Sequence, residues 1–194
     1  MHGQLAREFA EMALRLHDSV DPEQAAAQVL RLALCGTKCG HVGVMLCPGG
    51  ARLEAAVATD YLAEIADKLQ VELSEGPCVA TSPASCRIDD TATDRRWTHW
   101  NASLAEMGLR SVLSIPLSTE SSTVGRLNLY DEVPYRFSHQ DMAIAGVVAL
   151  HAVGALTRSA GRPDRSALVH QPTAGCESPV RRLSRHARRA STAR

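Results

Sequence analysis

The sequence predicts an α/β (α+β) fold in which helices at both ends of a domain enclose a run of strands. Near both ends, apolar residues recur every three to four positions, which is typical of amphipathic helices. Between them lie runs of strand length that alternate in character, and the turn residues Pro48-Gly49-Gly50 join the first two runs. Helices that flank strands joined by hairpins indicate a sheet with its helices segregated from its strands.

Two amphipathic helices are predicted at the start of the chain. Asp21 and Pro22 supply the second helix with an N-cap and a proline at its first position, and Gly36 is expected to end it. Their apolar stripes consist of Leu5, Phe9, Met12 and Leu16 in the first helix and of Ala25, Val29 and Leu32 in the second.

The remaining elements follow in order. Strands are predicted at 41–47 and 52–59, and Asp60 is expected to cap a helix that runs to about Leu73. The apolar stripe of that helix consists of Leu62, Ile65 and Leu69, with Tyr61 beside it. Further elements are a short strand at 86–90, a helix at 95–107, strands at 110–118 and 122–132, and a final helix at 138–158.

The charge of the chain is unevenly distributed although its net value is zero. From Arg158 onward there are nine arginines and two acidic residues, and this part loses its apolar periodicity. A segment with so little apolar surface to bury is expected to be disordered. We therefore expect a domain over residues 1–160 and a basic tail over 161–194.

No feature of the sequence indicates export or a membrane span. Glu8 and Glu11 interrupt the region where a signal peptide needs an apolar run, and the apolar stretch 143–156 is broken by His151. We expect a cytoplasmic protein without membrane contact whose six cysteines are thiols. Arginine outnumbers lysine nineteen to two, which suggests a GC-rich bacterial genome.

Several motifs in order resemble the GAF domain, in the subgroup that actinobacterial regulators often couple to an RNA-binding ANTAR domain. They are AVATDYLAEIADKLQVELSEGPC, IDDTATDRRW, GLRSVLSIPL and GRLNLYDEVPYRFSHQD, and the resemblance spans roughly residues 5–158. It implies an antiparallel sheet of five or six strands. The N- and C-terminal helices would cover one face, and a small-molecule pocket with short helices the other. Val79 and Ala80 stand where relatives carry Leu and Asp, and the residues after Gly161 show no ANTAR pattern.

Alternation along the strands predicts which side chains share a face of the sheet. The face covered by the terminal helices would carry Val42, Val44, Leu46, Leu113, Ile115, Leu117, Leu127 and Leu129. The opposite face would carry His41, Gly43, Met45, Arg110, Val112, Ser114, Arg126, Asn128 and Tyr130. This mixed polar set fits either a ligand pocket or a face that is simply wetter.

From this face we predict a ligand-binding site with no catalytic residue and no metal. Its lining would be Met45, Cys78, Trp97, Arg110, Ser114, Asn128 and Tyr130. Arg110 would contact an anionic group, and the aromatic side chains would stack or close the pocket. If this space is a working pocket, replacing Tyr130 or Arg110 by Ala is expected to abolish ligand retention at little cost in stability, because pocket walls are less tightly packed than the core. Neither a ligand identity nor a cofactor follows from the sequence.

Cys78 allows two interpretations. Pro77 suits the first position of a short helix, whose free N–H groups would lower the pKa of the following thiol and make it reactive, with Cys86 as a resolving partner. Alternatively, Cys78 is a small apolar plug in the pocket wall. Nearby, one of Asp89, Asp90 and Asp94 is expected to cap the helix that contains Trp97. The spacing of Cys35, Cys39 and His41 does not match a zinc site.

These observations favour a sensory module that binds a small molecule, acts in signal transduction or transcriptional regulation, and is not an enzyme. Its output would pass through a partner or through a homodimer built on helices 5–17 and 138–158, whose apolar faces are wide. Two alternatives remain open. One is a cysteine-based redox sensor or an enzyme resembling free methionine sulfoxide reductase. The other is a nucleic-acid-binding regulator that acts through the arginine-rich tail.

Overall fold

A five-stranded antiparallel sheet forms the centre of the protein, with strand order β2-β1-β5-β4-β3. The computed structural model describes residue 11 and residues 22–47, 54–80, 84–119 and 122–159. The strands are β1 (His41–Leu46), β2 (Glu54–Ala58), β3 (Cys86–Ile88), β4 (Ser111–Ser118) and β5 (Thr123–Asp131). The helices are α1 (Pro22–Thr37), α2 (Tyr61–Leu73), α3 (Thr98–Glu106) and α4 (His139–Ser159).

The predicted fold class and hairpins are confirmed. β1 pairs with β2 and β4 pairs with β5, each in antiparallel register. β1 also pairs with β5, which brings the two hairpins together at the middle of the sheet. Element bounds differ from the prediction by one to three residues. Helix α1, for example, extends to Thr37, one residue past Gly36, and Lys38 follows in the left-handed conformation.

One face of the sheet carries the apolar core that alternation predicts. Side chains from β1, β4 and β5 pack there against α1 and α4, and the two helices contact each other. The buried strand residues are Val42, Val44, Leu113, Ile115, Leu117, Leu127 and Leu129, and Leu46 packs at the margin. Burial of this set from water is the main stabilising contribution of this layer.

The other face is covered by α2, α3 and the chain between them, with a second and smaller apolar cluster. Its members are Ala58, Ala63, Ala66, Ile88, Trp100, Leu104, Leu109, Val112 and Tyr130. The sheet is therefore buried on both sides over much of its area. The interpretation that this face is simply exposed to water is wrong for these residues.

Helix α2 lies on the sheet with a different stripe from the predicted one. Leu62, Ile65 and Leu69 are only half-buried. The buried stripe consists of Ala63, Ala66, Asp67 and Gln70. Small alanines let the helix approach the sheet closely, and Asp67 and Gln70 find hydrogen-bond partners there, so this stripe is buried more deeply than the leucines. The expected N-cap is confirmed, because Asp60 Oδ1 accepts hydrogen bonds from Leu62 N and Ala63 N.

Several predicted features lie outside the described residues. These are the helix at 5–17 apart from residue 11, which is helical, the turn Pro48-Gly49-Gly50 and the tail 161–194. Among the helices that the structure describes, none combines the length and the apolar character needed to cross a membrane.

We predict that Leu129→Ala lowers the free energy of unfolding by roughly 2–5 kcal/mol, because Leu129 is fully buried between the sheet and the terminal helices. Urea denaturation followed by circular dichroism measures this change. Val133→Ala is the control: its side chain is 56% exposed, so the same kind of truncation should change stability by less than about 0.5 kcal/mol. Equal losses in both variants would contradict the assignment of this core.

Candidate functional site

A row of small and polar side chains crosses the whole sheet beneath α2 and the turn that follows it. Strand register places Ala58 opposite Gly43, Gly43 opposite Asn128, Asn128 opposite Ser114, and Ser114 opposite Cys86. Alternation assigns Gly43, Asn128 and Ser114 to the face of the candidate site, and the strand register adds Ala58 and Cys86 to it. The absence of large apolar residues from this row leaves room for polar side chains from above.

Asn128 and Ser114 of this row join three other polar side chains in one buried hydrogen-bonded chain. Arg126 Nε donates to Ser114 Oγ at 2.9 Å, and Ser114 Oγ donates to Asn128 Oδ1 at 2.6 Å. Asn128 Nδ2 in turn donates to Asp67 Oδ1 at 2.8 Å, and Tyr130 Oη donates to the same oxygen at 2.6 Å. The chain links the middle strands β4 and β5 to helix α2.

The carboxylate of Asp67 fits only because residue 43 is glycine. A Cβ built on Gly43 would overlap Asp67 Oδ2, which lies directly above the glycine backbone. Asp67 is fully buried, and burial raises the pKa of its carboxyl group to about 7, although the hydrogen bonds from Tyr130 and Asn128 act in the opposite direction. The sequence prediction did not include Asp67.

Gln70 connects helix α2 to the turn at residues 74–80. Its Oε1 accepts a hydrogen bond from Cys78 N at 2.8 Å, and its Nε2 donates to Tyr130 Oη at 3.4 Å. The Gln70 side chain packs over Gly76, whose φ of 117° and missing Cβ both accommodate it. Ser74 ends the helix in the left-handed conformation, so the chain turns back toward the sheet.

The expectation of a short helix with a reactive Cys78 is wrong. Residues 77–79 form a turn, and the Cys78 N–H is already engaged by Gln70. Its thiol is buried and accepts a hydrogen bond from Asn128 Nδ2 at 3.1 Å. Burial, together with the charge of Asp67, raises the pKa of Cys78 to about 12, so the thiol keeps its proton at neutral pH. The interpretation of Cys78 as a small plug in the wall fits this geometry.

Glu75, in the same turn, caps helix α3, which begins 23 residues later in the sequence. Its Oε2 accepts hydrogen bonds from His99 N at 2.8 Å and Trp100 N at 2.9 Å, and Oε1 contacts His99 Nδ1. The expectation that Asp89, Asp90 or Asp94 caps this helix is therefore wrong, since a carboxylate from the preceding turn satisfies its first N–H groups.

The two tryptophans of this region occupy different positions. Trp100 is fully buried, and its indole Nε1 donates to Ala66 O on α2 at 3.0 Å. Trp97, the predicted site residue, is half-buried at the edge of the second apolar cluster, where it meets Trp100 edge to face and lies under the guanidinium of Arg96. Trp100 thus belongs to the buried cluster that also contains Tyr130, and Trp97 lies at the margin of that cluster.

The two arginines on this face of the sheet have different surroundings. Arg110, predicted as the anion contact, forms two hydrogen bonds with the carboxylate of Asp90, and 37% of its side chain is exposed. Arg126 is 4% exposed, and its Nη2 donates to Ala84 O at 2.7 Å. Of the seven predicted site residues, the structure joins Ser114, Asn128, Tyr130, Cys78 and Met45 to the buried network, the last through a contact of its sulfur with Gln70 Nε2.

Asp67, Gln70 and Arg126 belong to this network but were not among the predicted site residues. The sequence signal for the first two is their spacing, because Ala63, Ala66, Asp67 and Gln70 fall on one side of a helix. Within the described residues, no group of three or more His, Cys, Asp or Glu side chains is placed to hold a metal ion.

This architecture matches a known protein family and several solved structures. The family model described as "GAF domain" matches residues 19–157. A GAF domain from an Acinetobacter phosphoenolpyruvate-protein phosphotransferase superposes with a TM-score of 0.64 at 12% identity, covering 86% of this chain and 100% of that one. No curated protein sequence matches this chain.

Two further solved structures share the fold. A domain of a putative two-component sensor histidine kinase from Sinorhizobium meliloti gives a TM-score of 0.61 at 17% identity, covering 72% of this chain and 94% of that one. The free methionine-R-sulfoxide reductase from Neisseria meningitidis, in complex with its substrate, gives 0.54 at 14% identity, covering 78% and 87%. At such identities the likeness shows a common fold.

We predict that Gly43→Ala destabilises the protein by about 1–3 kcal/mol, because its methyl group would enter the space of Asp67 Oδ2. In an Asp67→Ala background that space is free, so the same substitution should cost much less. Urea denaturation of the wild type, both single variants and the double variant gives the coupling energy, expected at about 0.5–3 kcal/mol.

The control for this cycle is Gly146→Ala in helix α4. Apart from the neighbouring residues and the backbone of the helix itself, no heavy atom of the described residues lies within 4 Å of a Cβ built there, so alanine should be neutral or stabilise the helix by up to about 1 kcal/mol. Additive costs of Gly43→Ala and Asp67→Ala would contradict the packing of Asp67 on Gly43.

Proposed function

Since this chain belongs to the GAF domain family, we propose that it is a sensory module that binds a small molecule on the sheet face opposite the terminal helices. The domain would span residues 1–160, and the basic segment 161–194 would lie outside it. The observation that carries this proposal is the buried polar network under α2. The finer resemblance, to actinobacterial GAF domains coupled to ANTAR, stays a prediction, as does a cytoplasmic location.

Burying these polar groups costs free energy, and this cost supports a role for the network in binding a ligand. Buried polar groups lose hydration, and an apolar core of the same volume would often be equally or more stable. Here a guanidinium, a carboxyl group, a phenol and two amides are buried together on one face while the other face is apolar. Such an arrangement of donors and acceptors on a rigid sheet is suited to orienting a small polar ligand.

Arg126 is the residue we assign to contact an anionic or hydrogen-bond-accepting group of the ligand. It belongs to the buried network through Ser114, whereas Arg110 is neutralised by Asp90 near the surface. The proposed ligand-contacting residues are thus Arg126 and Ser114, with Asn128, Tyr130 and Cys78 behind them. Tyr130 is fully buried in the second cluster, so the expectation that its replacement costs little stability does not fit its surroundings.

The alternative of cysteine chemistry has less support in this geometry. A thiolate is the attacking species in such reactions, and burial holds the pKa of Cys78 at about 12. The pKa of Cys86 is also raised, chiefly by burial. The similarity to a methionine sulfoxide reductase concerns the fold, so a binding role is the function that the site supports best.

Helix α4 offers a surface for the proposed output. Val147 is 45% exposed and Leu150 is 71% exposed, and with exposed Ala143 they form a stripe at helical spacing. We propose that this stripe forms a homodimer contact, as the wide apolar faces of the terminal helices suggest. Helices α1 and α4 pack on the sheet strands that carry the network, which connects this surface to the site.

We predict that native mass spectrometry of the purified protein shows a bound small molecule and that Arg126→Gln loses it, because the variant lacks the buried charge. Arg110→Gln is the matched control and should keep the molecule, since Arg110 is paired with Asp90. Circular dichroism checks that both variants are folded. Loss in Arg110→Gln but not in Arg126→Gln would reverse the assignment, and an unoccupied wild-type protein would contradict retention of a ligand.

We predict that the wild type sediments as a dimer at micromolar concentration and that Leu150→Asp shifts it to monomer, because a charge in the centre of an apolar contact is costly. Val133→Asp, at another exposed apolar position, is the control and should leave the dimer intact. Analytical ultracentrifugation measures both. A monomeric wild type, or an equal effect of the two variants, would overturn the assignment of α4 as the contact.

A further inference from the structure

The surroundings of Asp67 suit a neutral carboxyl group better than a charged one. Its Oδ1 accepts hydrogen bonds from Tyr130 and Asn128, whereas its Oδ2 is buried against Gly43 and has no hydrogen-bond partner among the described residues. No arginine, lysine or histidine is among the hydrogen-bond partners that the described part of the chain gives this carboxyl group. A buried carboxylate without a cationic partner loses hydration that these two donors only partly replace.

The elements packed around Asp67 carry few groups that titrate near neutral pH. Strand β5 presents Tyr130, whose pKa is raised well above its usual value by burial, and the turn presents Cys78, whose pKa is about 12. Arg126, also on β5, stays charged and bonds to Ser114. The exception is His41 on β1, which pairs with Asp60 at the start of α2; burial lowers its pKa, but the hydrogen bond and neighbouring carboxylates outweigh this and raise it.

Helix α2 is attached to the sheet through this polar network and through a small apolar cluster, to which it contributes Ala63 and Ala66. Its buried stripe contains two alanines and two polar residues, while its leucines are half-buried or exposed. The turn at 74–80 is attached through the hydrogen bond from Cys78 N to Gln70 and through Glu75 at the start of α3. Segments with few large apolar contacts open locally at a lower free energy than a protein's core.

We propose that helix α2 and the turn at 74–80 form a proton-controlled flap: ionisation of Asp67 favours a form in which this segment lifts off the sheet, and a neutral Asp67 favours the docked form. The flap exists without any ligand. That it also controls access of a small molecule to the site rests on the proposed function.

The direction of the pH effect follows from the two forms of Asp67. Its pKa is about 7 when docked, and hydration in the lifted form returns it toward the ordinary value of 3.8. The docked form therefore holds its proton to higher pH. Opening should become more favourable by up to tenfold per pH unit between about pH 4 and about pH 7, and should level off above that. Deprotonation of His41 weakens its ion pair with Asp60 and acts in the same direction.

The test measures how fast the thiol of Cys78 reacts with N-ethylmaleimide, resolved by peptide mass spectrometry, from about pH 5 to about pH 8. Thiolate formation itself speeds the reaction with pH, so the readout is the rate ratio of wild type to Asp67→Asn at each pH. We expect this ratio to rise by up to tenfold per pH unit below about pH 7 and to level off above. The same ratio for Cys35 on α1 should stay constant. A flat Cys78 ratio would overturn the proposal.

Two further variants separate the contribution of Asp67 to the pH effect from that of His41. His41→Gln removes the other titrating group and should keep most of the rise, whereas disappearance of the rise in this variant would assign the switch to His41 and overturn the role of Asp67. Tyr130→Phe removes one donor to Oδ1 and so raises the pKa of docked Asp67 further, which should leave the onset of the rise near about pH 4 but extend the rise to higher pH. The ratio of the Cys78 labelling rate in Tyr130→Phe to that in wild type should therefore keep rising above about pH 7. This comparison tests the flap even if Asp67→Asn does not fold, and a ratio that stays flat above about pH 7 contradicts it. None of these measurements needs a bound ligand, so their outcome is independent of ligand retention.

Discussion

The burial of the Asp67 carboxyl group between helix α2 and the sheet is the constraint on which the site depends. It requires glycine at position 43, because any Cβ there would occupy the space of Oδ2. It requires donors on β5, which Tyr130 and Asn128 supply. Asn128 also contacts Ser114 and Cys78, so one buried acid is connected to residues on three strands and a turn.

The two faces of the sheet are stabilised by different physics. On the face toward α1 and α4, non-directional burial of leucine, valine and isoleucine suffices, and volume-conserving changes there are tolerated. On the face toward α2, each polar group needs a partner at hydrogen-bond distance, so losing one leaves another unsatisfied. Stability can therefore come mainly from the first face, which leaves the second free to carry a polar site at the expense of tight apolar packing.

Alternation and turn residues predicted the fold because these signals are local. Val42, Leu113 and Leu129 could be assigned to the helix-covered face by counting alternate positions, and Asp60 could be assigned as an N-cap from its place before a helix.

The features of the candidate site that the sequence did not predict depend on partners that are far apart in the sequence. Asp67 and Gln70 are not part of the predicted stripe of Leu62, Ile65 and Leu69, and Gly43 and Tyr130, on other elements, make their burial possible. Glu75 caps a helix that begins 23 residues later, and no local pattern marks such a contact. Arg110 and Arg126 are equivalent by alternation, and Asp90 distinguishes them only in three dimensions.

The structural comparisons fit this division of the sheet. Solved GAF-fold structures superpose on this chain at 12–17% identity with TM-scores above 0.6, so the fold persists when most side chains differ. An apolar face explains such persistence, because many combinations of aliphatic residues fill the same volume. A hydrogen-bonded face does not tolerate exchange in this way, since each donor is matched to one acceptor. What distinguishes this chain from others of the same fold should therefore be sought in the group around Asp67, whose hydrogen bonds connect helix α2 to strand β5.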